Sequence, residues 1–163
     1  MDLELNEGKM VIKDSGAIEA LKQGVAAYLS AAADTTITTG GTYYPVAGTF
    51  TNTYYEQFSL VAGPAIQYDG VETHTFEIDI NFCGSTDTTG TTLSIGVKKN
   101  TTVQTGWIAQ TFMKNIGQLY TASATCVVDL TTDDTIQLVM TSNKDTNDIT
   151  TTTYTTTIRR FFH

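Results

Sequence analysis

Glu77 and Asp79 are the residues of this chain best suited to acid–base chemistry. Two carboxyl groups two positions apart on a strand share one face, at the ~5–9 Å separation that glycoside hydrolysis asks of its acid and base. Any acidic pair on the solvated side of a strand has the same spacing. With Phe76 and Ile78 on the opposite phase, a solvated face is the better account. His74 and His163 are the only histidines. The first adjoins Glu72 and Thr73 and the second is the last residue, so neither a His-x-x-x-His metal pair nor a local Ser-His-Asp order can be built. His74 reads as a solvent-facing strand histidine. Asp133-Asp134 and Asp145 to Asp148 cluster oxygens that a hard cation would accept, but neither follows EF-hand order, and turn formation explains them better. Tyr43, Tyr44, Tyr54, Tyr55 and Trp107 have ring faces that stack on sugars and that serve core or interface packing equally well. The chain is expected to be a non-enzyme, with no catalytic, cofactor-binding or metal-binding residues.

The two cysteines fall on opposite strand phases. Cys83 follows the apolar series Phe76, Ile78, Ile80, Phe82 and lands on the outward side, whereas Cys126 shares the inward side with Ala124, Val128 and Leu130. Such residues do not pair, so both thiols are expected to be free.

The composition sets the frame that must position these groups. One ordinary domain fits 163 residues. The charged fraction of 16% lies below the ~25% of typical chains, and threonine, the commonest residue, supplies the polar surface while favouring strands. A net charge of -8 argues against nucleic acid and against an anionic membrane as partners. The first residues are acidic where a signal peptide is basic, and no apolar run reaches the ~18 residues of a membrane span, which implies synthesis in the cytoplasm. The Lys98-Lys99 pair reads as a solvated strand tip.

Residues 1–33 read as an arm. Leu3, Leu5, Met10 and Ile12 lie in a charged, irregular lead, and Ile18, Leu21, Val25 and Tyr28 recur at helical spacing, predicting an amphipathic helix over Ser15 to Ser30. From residue 34 to 163 the pattern is of short strands between turn signals. Strands are predicted at Thr42 to Val46, Glu56 to Ala62, Ile66 to Tyr68, Thr73 to Phe82, Thr92 to Lys98, Gly106 to Phe112, Gln118 to Asp129, Thr135 to Thr141 and Thr152 to Phe162. No helical crossovers intervene, which excludes a doubly wound or βα-barrel fold and leaves a mainly β, jelly-roll sandwich.

The phrases Gly41-Thr42-Tyr43-Tyr44-Pro45-Val46, Ile66-Gln67-Tyr68-Asp69-Gly70, Ile95-Gly96-Val97-Lys98-Lys99-Asn100 and Val128-Asp129-Leu130-Thr131-Thr132-Asp133-Asp134-Thr135-Ile136, in that order, resemble the tumour-necrosis-factor-like jelly roll of phage virion proteins. The resemblance covers roughly residues 41 to 162 and does not extend to the arm. It implies a compact homotrimer used as capsid decoration, head fibre or receptor-binding tip. Strands apolar on both phases, at Cys126-Val127-Val128, Leu138-Val139-Met140 and Phe161-Phe162, agree with a subunit interface, for which Val127, Val139 and Phe161 are the candidates. The short arm, with Leu3, Leu5, Met10, Ile12, Ile18, Leu21, Val25 and Tyr28, favours a decoration protein on the capsid exterior, held to the major capsid protein or another virion protein. The alternative is a receptor- or carbohydrate-binding module of a head or tail fibre, meeting a host surface glycan through its tyrosines.

Overall fold

The computed structural model describes residues 2–6, 9–13, 24–61 and 64–161, with backbone alone at 2–6, 9–13, 54 and 55. The strands in chain order begin with β1 (Asp2–Asn6), β2 (Lys9–Lys13), β3 (Gly24–Leu29), β4 (Ala33–Ile37) and β5 (Tyr44–Pro45). Then come β6 (Phe50–Glu56), β7 (Phe58–Val61), β8 (Ala65–Tyr68), β9 (His74–Thr86) and β10 (Thr91–Lys99). The series closes with β11 (Thr102–Val103), β12 (Ala109–Met113), β13 (Tyr120–Leu130), β14 (Thr135–Ser142) and β15 (Asn147–Arg160).

The strands from β3 onward form two antiparallel sheets packed face to face. One has six strands in the order β13-β9-β15-β3-β6, with β4 beside the first half of β15. The other has seven, in the order β11-β10-β14-β8-β7, with β12 on β10 and β5 on β14. The chain alternates between them, β9 to β10, β13 to β14, β14 to β15, which is the jelly-roll connectivity the turn spacing predicts. Period-two alternation drives the burial. Phe76, Ile78, Ile80 and Phe82 of β9 face Leu93, Ile95 and Val97 of β10 and Ile136, Leu138 and Met140 of β14 across one core, all 2% exposed or less. At its lower end Phe58, Tyr68 and Phe76 pack ring against ring at centroid distances of 5.0–5.2 Å.

The threonine-rich last strand owes its inner face to a bulge. From Ile149, simple alternation would bury Thr151, Thr153, Thr155 and Thr157. The register against β9 instead shifts between Thr151 and Thr153, so that Tyr154, Thr156 and Ile158 turn inward, each 1% exposed or less.

Two expectations need correction. Gly24–Leu29 is a strand, not the end of a helix: Val25, Ala27 and Leu29 are buried in the core, while Tyr28 is 38% exposed on the other phase. The sandwich thus takes in sequence upstream of residue 34. Pairing to β15 on one side and β6 on the other overrides a weak helical spacing that only Val25 and Tyr28 carried this far. The lead is not irregular either, since β1 and β2 pair as an antiparallel hairpin. Ile18 and Leu21, and the first half of the expected helix, lie outside the described residues.

The Tyr154 ring sits edge-on to Phe50 and Phe82, at 6.1 and 6.2 Å, and its buried hydroxyl meets no hydrogen-bonding partner. Burial drives its pKa upward. Tyr154→Phe removes only the desolvated hydroxyl and is expected to leave stability unchanged or raise it by up to about 1 kcal/mol, whereas Tyr154→Ala, which empties the ring site, should cost about 3–5 kcal/mol. Urea denaturation of the two variants decides it: a loss well beyond 1 kcal/mol in the phenylalanine variant means the hydroxyl is bonded after all.

Candidate functional site

The two sheets treat their outer faces differently. On the seven-stranded sheet the middle of the outward phase is covered by the chain itself, with Ser94 7% exposed, Thr141 6% and Val139 1%, whereas Gln110 and Phe112 of β12, on the same phase, are exposed. Gly96 shows one source of this cover, because a side chain there would meet Ile108 Cγ1 at 3.3 Å. Val139 therefore has no surface to give a neighbouring subunit, contrary to the sequence expectation; its outward phase is satisfied within the chain.

The outer face of the six-stranded sheet is open. Cross-strand register sets its residues in rows. Val127, Glu77 and Arg159 make one row; Thr125, Asp79, Thr157 and Ala26 the next. Ser123, Asn81, Thr155 and Tyr28 follow, then Thr121, Cys83 and Thr153. Apart from the first two rows and Tyr28 these are small, uncharged side chains, and Asn81, Thr121, Ser123, Thr125, Thr153 and Thr157 are exposed. A depression of about 550 Å³ lined by Asn81, Cys83, Thr121, Ser123 and Thr153 lies across the last two rows. Val127 is half-buried on this face. Phe161, also half-buried, follows β15, its backbone N–H bonded to the Thr75 carbonyl at 2.8 Å.

Arg159 occupies the acidic pair singled out above. Its guanidinium donates to Glu77 Oε1 through Nε at 2.8 Å and through Nη2, and lies 3.2 Å from Asp79 Oδ2. The hydrogen bond to Glu77, then the charges of Glu77 and Asp79, raise the Arg159 pKa further. Asp79 also accepts from the Thr125 hydroxyl at 2.7 Å. Both carboxylates are thus engaged as acceptors, an arrangement that orders a sheet face.

His74 is not solvent-facing. Its side chain is 11% exposed, 3.6 Å from Glu72 and beside the Phe76 ring. Burial first, then the Arg160 charge, lower its pKa against the opposing pull of Glu72. Tyr44 is tied down rather than offered to a ligand, its hydroxyl lying 2.5 Å from Thr38 Oγ1 and accepting from the Thr39 N–H at 3.1 Å. Trp107 is 44% exposed. Among the described residues no three His, Cys, Asp or Glu side chains gather as a metal site. Asp145 works as a brace, accepting the Gly40 N–H at 2.6 Å.

The phrases at Lys98-Lys99-Asn100 and Asp129 to Thr135, far apart in sequence, form one lattice at the end of the sandwich. Asp134 Oδ2 accepts from Lys99 Nζ at 2.8 Å, the Thr131 N–H at 2.8 Å and its hydroxyl at 2.9 Å, while Oδ1 accepts from Asn100 Nδ2 at 2.7 Å. Lys99 Nζ also reaches the Asp129 carbonyl at 2.7 Å, and Asn100 Oδ1 accepts the Thr135 N–H at 2.8 Å. Asn100 and Asp133 hold positive φ, 51° and 67°, a conformation that Asn and Asp tolerate better than other side chains. The lysine pair is therefore a structural clasp through Lys99.

With this geometry in view, comparison places the fold in one class. No family model matches the chain, and no curated protein matches it. Solved structures do: murine APRIL at pH 5.0, with a TM-score of 0.58, 8% identity and coverage of 84% of this chain and 99% of that one, and Eiger TNF from S. frugiperda, with a TM-score of 0.56, 8% identity and coverage of 84% and 92%. The chain has a tumour-necrosis-factor-like jelly-roll fold; at such identity the likeness speaks for the fold alone.

Two outcomes follow from this geometry. Burial lowers the solvation of Asp134 and by itself raises its pKa, but Lys99, Thr131 and Asn100 override it and hold the carboxyl far below the ordinary range. A depressed folded-state pKa contributes stability that is complete above the unfolded value near ~3.9 and lost as pH falls below it. Asp134→Ala should cost about 2–3 kcal/mol at pH 7, and acid titration of stability should be flatter in Asp134→Asn than in the parent below about pH 4; parallel curves would sink the clasp. Second, Cys83 and Cys126 are both free thiols, one half-buried and the other buried with its pKa pushed up to about 11 by desolvation. A thiol reagent at pH 8 should label Cys126 only on unfolding, whereas native labelling of Cys126 would contradict its core position.

Proposed function

We propose that the chain is a non-catalytic, homotrimeric structural protein of a phage virion, decorating the capsid exterior, with the open face of the six-stranded sheet as the subunit contact and the residues before Gly24 as the attachment to the particle. One observation supports the assembly: among the described residues the chain covers the middle of one outer sheet face with its own segments and leaves the other open and lined mostly by small side chains. Close to it in sequence, Phe112, Ile116 and Leu119 are 60%, 59% and 56% exposed, apolar area that a neighbouring subunit would cover. An edge of one subunit packed on the face of the next is a heterologous contact, and a threefold rotation closes it. The virion reading draws on the Asp134 clasp, since this lattice joins two of the four phrases that carry the resemblance to phage virion proteins. The rival, a receptor- or carbohydrate-binding module, is supported by the exposure of Trp107.

Light scattering should give about three times the 17.7 kDa of one chain, and Asn81→Arg, which sets a bulky charge at an exposed position of the open face, should yield a folded monomer. A trimer that survives Asn81→Arg would move the contact elsewhere. Added to particles that lack it, the full chain should bind and a chain without residues 1–13 should not; glycan binding abolished by Trp107→Ala, with no particle binding by either form, would favour the rival.

A further inference from the structure

The hairpin of β1 and β2 forms a sheet of its own, separate from both sheets of the sandwich. Its register pairs Leu3 with Ile12 and Leu5 with Met10, so positions 3, 5, 10 and 12 share one face. The other face pairs Asp2 with Lys13, Glu4 with Val11 and Asn6 with Lys9. A two-stranded hairpin of five-residue strands is marginal alone in water; here one face carries only apolar residues by register, and among the described residues no further strand pairs with either edge.

Charge along those edges identifies the occupant. β1 carries Asp2 and Glu4 and no cation; β2 carries Lys9 and Lys13 and no anion. Within the hairpin only Asp2 and Lys13 are matched, leaving Glu4 opposite Val11 and Lys9 opposite Asn6. A second identical hairpin placed edge to edge sets an acidic strand beside a basic one, supplying partners for both. Copies related by rotation about an axis along the strands run up and down alternately, so the new pairing of β2 with the next β1 is antiparallel, like those inside each hairpin.

We infer that the hairpins of three copies join edge to edge, β2 of each pairing with β1 of the next, into a closed antiparallel ring with the Leu3, Leu5, Met10 and Ile12 face as its interior. This inference rests on the trimer proposed above and adds a second contact to it. Closure removes every free edge and encloses the apolar face, which are the two features the lone hairpin leaves unsatisfied.

Disulfide trapping in the full-length chain tests it. In a Cys83→Ser background, Glu4→Cys chains are co-expressed with chains bearing cysteine in place of Lys9, Val11 or Lys13 in turn, and each sample is oxidised after its mass is measured by light scattering. At least one combination should give a bridge between the two kinds of chain, while Glu4→Cys expressed alone gives none, because two β1 strands are never adjacent in the ring. A trimeric mass without a bridge in any combination overturns the ring and leaves the trimer standing. A monomeric mass overturns both. Bridging by Glu4→Cys alone as readily as in the mixtures would show like edges meeting, which also overturns the ring.

Discussion

The ladder between β9 and β15 is the constraint on which the rest of the sandwich depends. It runs from Thr86 opposite Ile149 to Phe76 opposite Arg160, through the center of the six-stranded sheet. One register decides both faces at once, because a slip of one residue would exchange inner and outer side chains along the whole strand. On the inner side it sets Tyr154 against Phe82 and Ile158 against Ile78; on the outer side it delivers Arg159 to Glu77. A threonine run offers no apolar pattern to enforce that register. The bulge and the ion pair at the end of the ladder provide it, together with Asn147, whose Oδ1 accepts from the buried Thr86 hydroxyl at 2.9 Å.

Because β15 is held so firmly, the polarity of its two sides becomes a property of the whole sheet. The inner side belongs to the core. The outer side is a surface of hydroxyls and one ion cluster. The seven-stranded sheet has the opposite history: its outer phase includes Val139 and Gly96, which water would not suit, and the chain lays its own segments over them. The difference between the faces comes from where the chain spends its loops. The open face is what remains, among the described residues, after that covering.

Much of the sandwich was legible because burial enforces period two. Leu93, Ile95, Val97 and Ile136, Leu138, Met140 announce their strands, and the opposite phases of Cys83 and Cys126 follow from the same count. At Gly24–Leu29, Val25 and Tyr28 extend a helical spacing while Val25, Ala27 and Leu29 satisfy a strand, and Ala27 is too small to tip the balance. At Val139 the sequence shows an apolar outward phase but not which segment covers it, and the cover over His74 is equally invisible in it. The site was less legible than the fold. Arg159 lies 82 residues from Glu77, and no local spacing reveals a salt bridge across that distance. The clasp was half visible: its two phrases stood out, but Asn100 and Thr135 are 35 residues apart, and only the pairing of β10 with β14 joins them.

The clasp also bears on how such a fold tolerates divergence. Its donors and acceptors lie at strand ends and turns, where each residue is fixed by hydrogen bonds of defined direction, so few side chains can substitute. Core positions ask only for apolar volume and can drift among Ile, Leu, Val and Phe while alternation is kept. A shared jelly roll at 8% identity to murine APRIL shows how little of the core sequence the fold prescribes. Lys99, Asn100, Thr131 and Asp134 are positions bound instead by hydrogen-bond geometry. Beyond the Arg159, Glu77, Asp79 and Thr125 cluster, the open sheet face is under neither constraint. Its small hydroxyl side chains can change without loss of the fold, so it is the part of the molecule most free to be shaped by whatever packs against it.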